Sequence, residues 1–215
     1  VFKNIRRTFA GKIMENNNEF NINYEYICRY IRGALKQNFG LLKEMELYAQ
    51  ANNIPIADIE TMRFVEVLLL GAKVKNVLEI GAAIGYSAIT MAMCGAKVTT
   101  IEQNEPMLKV LKSNIEKASL SNEITVLKGD AAGMLPNLGG SFDFIFLDAA
   151  KGQYLYFLPD CIRLLKVGGI LFSDNILYKG MVATDELVVR RKITIVRRLR
   201  QYLTRLCEDE NLITS

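Results

Sequence analysis

Two short stretches hold the side chains best suited to chemistry. "FLDAAKGQY" carries Asp148 and, three residues on, Lys151; "FSDNILYKG" carries Asp174 next to Asn175. Two carboxylates and an amide oxygen form a hard-oxygen donor set without sulfur or imidazole. Such a set suits Mg²⁺ or another divalent cation, with waters or substrate oxygens completing an octahedron. A cation there would act as a Lewis acid on a hydroxyl, with Lys151 as candidate general base. Taken singly, an Asp after a strand reads as a cap or turn residue and a Lys in a loop as a solvated charge. Side by side at matched strand ends, they read as a site.

A third stretch, "NVLEIGAAIGYS", places Glu79, Gly81 and Gly85 as E-x-G-x-x-x-G. Glycine permits a tight turn and close approach of a ligand to the backbone. A dinucleotide fingerprint reads G-x-G-x-x-G, but Ala83 stands where its second glycine would be. Glu79 beside the loop would repel phosphate and welcome a cation. The loop therefore favours a positively charged nucleoside over NAD, and S-adenosylmethionine, a sulfonium with a free amino group, fits. Glu102 ends the next apolar run, where an acid can accept from ribose hydroxyls. Asp130, with the Ala131 N–H beside it in "KGDA", stands where an adenine edge would be read; its alternative role is a helix cap.

Composition narrows the chemistry further. The 215 residues contain no histidine, which excludes Ser-His-Asp and Cys-His catalysis and His-ligated zinc. Cys28, Cys94, Cys161 and Cys207 form no CxxC pair. No apolar run reaches the ~20 residues of a membrane span, and residues 1–13 lack the apolar core of a signal peptide, so the expected location is cytoplasmic and off the membrane. The net charge is +4, and residues 1–13 hold Lys3, Arg6, Arg7 and Lys12 with no acid. They read either as an extension upstream of a start at Met14 or as a basic arm.

The elements that must position these residues follow from periodicity. Residues 22–52 read as helical, with Ile22, Tyr26, Ile27, Tyr30 and Ile31 on one stripe. Pro55 breaks the pattern, and a helix over 58–70 follows with Asp58 as candidate N-cap. From Lys75 onward, apolar runs at 76–80, 97–102, 124–128, 142–148 and 169–174 alternate with helices near 86–94, 106–119, 153–165 and 185–207. The expectation is a single α/β domain. Helices over 14–71 precede a Rossmann-like, doubly wound, mostly parallel sheet covered on both faces over 72–215. In such sheets ligands bind at the carboxyl ends of strands.

"LEIGAAIGYSAI", "IFLDAAKGQY" and "FSDNILYKG" together resemble the metal-dependent O-methyltransferases of the catechol and caffeoyl-CoA type, from about residue 24 to the end. Within that family the nearest likeness is to bacterial tRNA 5-hydroxyuridine methyltransferases. The resemblance implies metal ligation by Asp148, Asp174 and Asn175, with Lys151 as base. It implies cofactor contacts from Glu79, Gly81, Tyr86, Ser87, Glu102, Asp130 and Ala131, with Asp148 near the methionine end of the cofactor. It also implies a homodimer. The family usually continues past the last helix into a β-hairpin, whereas this sequence stops at "NLITS".

Between Arg190 and Arg205 there are seven basic residues and no acid. Arg191, Arg198 and Arg205 recur every seven, flanked by Arg190 and Arg197, opposite an apolar stripe of Ile195, Leu199, Tyr202 and Leu206. A one-signed face on a domain otherwise balanced in charge suits RNA phosphate. The leading expectation is methylation of the 5-hydroxyuridine wobble base of tRNA. The alternatives are O-methylation of a small vicinal diphenol, catechol-like or caffeoyl-CoA-like, and a cofactor-binding module without turnover.

Overall fold

The computed structural model describes residues 24–215, so the basic stretch 1–13 and Ile22 lie outside the described residues. Three helices lead in: α1 (Glu25–Ala34), α2 (Leu41–Ala51) and α3 (Ile59–Gly71). The single helix expected over 22–52 is two. Leu35 turns extended, the Gln37 amide donates to the Arg32 and Leu35 carbonyls, and Gly40 sits at φ 59°. Only glycine takes that turn without strain. Asp58 holds the N-cap position of α3 but makes no cap hydrogen bond, pairing instead with Arg32 of α1 at 3.1 Å.

The core then alternates strand and helix: β1 (Asn76–Ile80), α4 (Tyr86–Met93), β2 (Lys97–Glu102), α5 (Glu105–Lys117), β3 (Ile124–Lys128), the short α6 (Ala131–Met134), β4 (Phe142–Leu147), α7 (Tyr154–Leu164), β5 (Leu165–Ser173) and α8 (Ile193–Glu208). Among the described residues the sheet is wholly parallel, in the order β3-β2-β1-β4-β5. Crossovers run one way from β1 to β3 and the other way to β5. The chain thus reverses direction at β1, and a crevice opens at the carboxyl ends of β1 and its neighbours.

Side-chain alternation along the strands divides the core. Val77 of β1 and Phe144 and Phe146 of β4 pack with Met62, Val65, Ile89 and Leu111 on the α3–α4–α5 face. Leu78 and Ile80 pack with Ile145, Phe157, Leu158, Leu199 and Tyr202 on the α7–α8 face. Alternation also sends Glu79, the one acid in β1, to the α4 side. The strands end in step at the crevice: Gly81 N–H donates to Ile101 O, Asp148 N–H to Ile80 O, Asp174 N–H to Leu147 O and Gly129 N–H to Glu102 O, at 3.0–3.1 Å.

The helix expected over 185–207 begins only at Ile193. The chain before it makes two separate 3₁₀ turns, Asp185–Leu187 and Arg190–Lys192. Arg190 and Arg191 are therefore not on the helix that carries Arg197, Arg198 and Arg205.

Candidate active site

The crevice is a cavity of about 490 Å³ at the carboxyl ends of β1–β4. Gly81, Ala83, Tyr86 and Ser87 line it after β1; Glu102, Asp130 and Ala131 line it after β2 and β3; Asp148, Lys151 and Asn175 line it after β4 and β5, while Asp174 does not line it. Thus most of the residues singled out from sequence converge, as strand ends in register require.

The glycine loop is built by contact. A Cβ on Gly81 would sit 2.2 Å from the Asp148 carbonyl oxygen, and φ there is +100°. Gly85, also at positive φ, passes so close to α5 that a Cβ would meet Leu111 Cδ1 at 2.4 Å. Gly85 does not line the cavity; its role is to let α4 pack against α5. Ala83 takes a positive φ of 46°, and its N–H donates to Glu102 Oε2 at 2.8 Å.

Glu79, expected as a cofactor contact, is held by the protein itself. It is fully buried and absent from the cavity wall. Its two oxygens accept from Ser87 Oγ on α4 and from Thr100 Oγ1, its register partner on β2. Burial pushes its carboxyl up to about 7, against those two hydrogen bonds, with the Asp148 and Glu102 charges adding to the rise. Glu79 braces the loop from beneath.

At the nucleoside end, the Glu102 carboxylate accepts from the N–H groups of Ala83, Gln103 and Asn104 at 2.7–2.9 Å. These donors stabilise the anion and fix its rotamer. A carboxylate has about four acceptor positions, so capacity for a ribose hydroxyl remains. Asp130 caps α6 through Ala132 N–H at 3.1 Å, the alternative its position allowed, while still lining the cavity. The Tyr86 hydroxyl is spent on the lead-in segment, donating to Glu46 of α2 and accepting from Asn38 in the α1–α2 connection; Tyr86 also lines the cavity.

At the other end, Lys151 Nζ donates to Asp148 Oδ1 at 2.6 Å and to the Tyr154 hydroxyl at 2.7 Å. Asp174 Oδ1 accepts from the backbone N–H and side-chain amide of Asn175, which sits at a positive φ of 50°. Asn adopts this left-handed conformation more readily than most residues. Burial, then the Asp148 charge, raises the Asp174 carboxyl above its ordinary value. Two carboxylates in mutual repulsion at neighbouring strand ends, with an amide beside them, fit a divalent cation in donor chemistry. Among the described residues there is no cluster of three His, Cys, Asp or Glu side chains able to hold a metal.

A family model for O-methyltransferases matches residues 36–214. The chain belongs to the O-methyltransferase family, a family of S-adenosylmethionine-dependent enzymes. Caffeoyl-CoA O-methyltransferase 2 of Petunia hybrida is 32% identical to this O-methyltransferase over 155 residues, 67% of the chain and 64% of the relative. A catechol O-methyltransferase of Niastella koreensis is 32% identical over 130 residues, 57% of the chain and 59% of the relative. The chain thus spans less than two thirds of either relative's length. In structure, the O-methyltransferase of Bacillus cereus in complex with SAH superposes at a TM-score of 0.76 and 26% identity, covering 86% of each chain.

Several lining residues carry no signal in the sequence. Pro55, Ile56 and Ala57, in the α2–α3 connection, and Phe157 of α7 close the cavity from two sides. Tyr154 was within reach of a sequence reading, since a Lys and a Tyr three apart at a helix start share a face. Of the expected basic face, Arg198 is spent: it donates to Gly152 O at 3.3 Å and stacks over Tyr156 at 5.0 Å. Arg190, Arg191, Arg197 and Arg205 are exposed.

Proposed function

We propose that the chain methylates one hydroxyl of a small vicinal diphenol, using S-adenosylmethionine and a divalent cation, with Mg²⁺ the natural candidate. The observation that carries this reading is one cavity joining two kinds of end. One end offers acceptors, Glu102 and Asp130, to a nucleoside; the other offers hard oxygens and an amine. The names of the relatives favour a diphenol acceptor over tRNA, reversing the order suggested by the sequence.

Asp148, Asp174 and Asn175 would hold the cation, which supplies Lewis acidity to the acceptor hydroxyl. S-adenosylmethionine, when bound, would supply an electrophilic methyl group. The chain's own residues do the rest. Glu102 orients the nucleoside, the Gly81 turn lets it lie against backbone, and Lys151 Nζ takes the acceptor's proton. The Lys151 nitrogen is held by hydrogen bonds to Asp148 Oδ1 and the Tyr154 hydroxyl.

A second reading, methylation of wobble 5-hydroxyuridine in tRNA, is favoured by the exposed Arg190, Arg191, Arg197 and Arg205, a basic surface a small phenol does not need. A cytoplasmic location and assembly as a homodimer belong to the same proposal. The test offers labelled S-adenosylmethionine to a catechol and to hydroxyuridine-containing tRNA in parallel, with Mg²⁺ and with chelator. Label in the catechol, lost with chelator, supports the first reading. Label confined to tRNA, with binding that falls steeply with salt, moves the assignment to the second. Transfer that survives chelation removes the cation from the scheme.

A further inference from the structure

Lys151 has two hydrogen-bond acceptors in the structure, and one has no role in the chemistry proposed so far. Tyr154 is completely buried, so its hydroxyl must be satisfied within the protein. It lies 2.8 Å from the carbonyl of Leu147, the last residue of β4, and 3.3 Å from the carbonyl of Asp174. A carbonyl only accepts, so the single phenolic proton is committed to one of these, Leu147 being nearer. The hydroxyl is left as an acceptor, and Lys151 Nζ donates to it at 2.7 Å.

We propose that Tyr154 is a positioning residue for Lys151, the hydroxyl that fixes the rotation of the Lys151 amine about its own C–N bond. The inference rests on the proposed role of Lys151 as base. The Lys151 nitrogen is tetrahedral, and its bond to Cε and its hydrogen bonds to Asp148 Oδ1 and to the Tyr154 hydroxyl take three of its four directions. The fourth is left free, and Lys151 lines the cavity. Asp148 alone leaves the nitrogen free to rotate. The phenol is itself held at both ends, by the Leu147 carbonyl and by its ring packed edge-on to Tyr202 at 5.7 Å. The base is thereby tied to the strand ends that carry Asp148 and Asp174, and not only to its own loop.

The test compares Tyr154→Phe, Lys151→Met, the double variant, and Tyr202→Phe as a packing control that does not touch Lys151. The expected result is a fall in kcat of about 10- to 100-fold for Tyr154→Phe. KM for the acceptor and Kd for S-adenosylmethionine should move less than about threefold, Tyr202→Phe should keep kcat, and Tyr154→Phe should add nothing in the Lys151→Met background. Equal losses with and without Lys151, or no loss, would overturn the proposal. An independent readout is NMR of ¹³C-labelled lysine ε-methylenes. The Lys151 signal should report a rigid side chain in the wild type and a mobile one in Tyr154→Phe. If the wild type methylates neither acceptor while that signal behaves as expected, the functional reading fails and the positioning stands. A Lys151 signal mobile in the wild type, or unchanged in Tyr154→Phe, overturns the positioning.

Discussion

The α-carbon of Gly81 lies against the backbone of Asp148, so close that a Cβ would sit 2.2 Å from the Asp148 carbonyl oxygen. The glycine loop after β1 and the end of β4 are thus in close contact through a residue that has no side chain. Gly81→Ala must displace one of them and also hold alanine at φ +100°. The cost should be about 2 kcal/mol or more. We expect a lower Tm and at least tenfold weaker S-adenosylmethionine binding by calorimetry. Wild-type affinity in this variant would mean that the contact is not structural.

Glu79 makes stability pH-dependent in a defined direction. Its folded-state value of about 7 lies above its ordinary 4.5, so the folded state holds the proton more tightly. The neutral carboxyl favours folding fully below pH 4.5, and that contribution is lost as pH rises to about 7. Its full size is about 3 kcal/mol. Glu79→Gln, uncharged throughout, should gain on the wild type between pH 5 and pH 8 in urea denaturation. Parallel curves for the two proteins across that range would refute the assignment.

Asp174 should show a trade between stability and function. It is buried and its charge is opposed by Asp148. In chelator at neutral pH, Asp174→Asn should be as stable as the wild type or more so, by about 1 kcal/mol. Its Mg²⁺ affinity by titration calorimetry should fall at least tenfold, and methyl transfer with it. Undiminished Mg²⁺ binding would take Asp174 out of the ligand set.

The arginines of α8 should separate into two kinds. Arg198 bonds Gly152, in the turn that carries Lys151, and stacks on Tyr156. Arg198→Ala should cost about 1 kcal/mol and lower kcat. Arg197→Ala with Arg205→Ala should leave stability within about 0.5 kcal/mol and, on the tRNA reading alone, weaken RNA binding measured against salt. Equal destabilisation by both would show that the exposed pair is also structural.

How much was legible in the sequence depended on the range of the interactions responsible. β1, β2 and β3 begin and end at the bounds expected from the sequence; β1 is buried along nearly its whole length, while β2 and the edge strand β3 are only partly buried. The lead-in helix was misread as continuous because its break rests on Gly40 and on Gln37 reaching back to carbonyls, neither of which disturbs the apolar period. The placement of Glu79 is hidden in the sequence for a related reason. An acid before a glycine loop looks the same in sequence whether it faces the ligand or lies beneath the loop.

The residue types at the strand ends, and their order along the chain, are determined by the sequence alone: Glu102, Asp130, Asp148, Lys151, Asp174 and Asn175 can only do oxygen and amine chemistry. Which of them meet, and in what state, was decided by tertiary structure. The reversal of strand order at β1 brings Gly81 onto Asp148. Burial sets Glu79 beneath the loop, against Ser87 and Thr100. The meeting of α7 with the ends of β4 and β5 gives Lys151 its second acceptor, Tyr154. Desolvation and close approach depend on what lies across space, and a one-dimensional pattern carries neither.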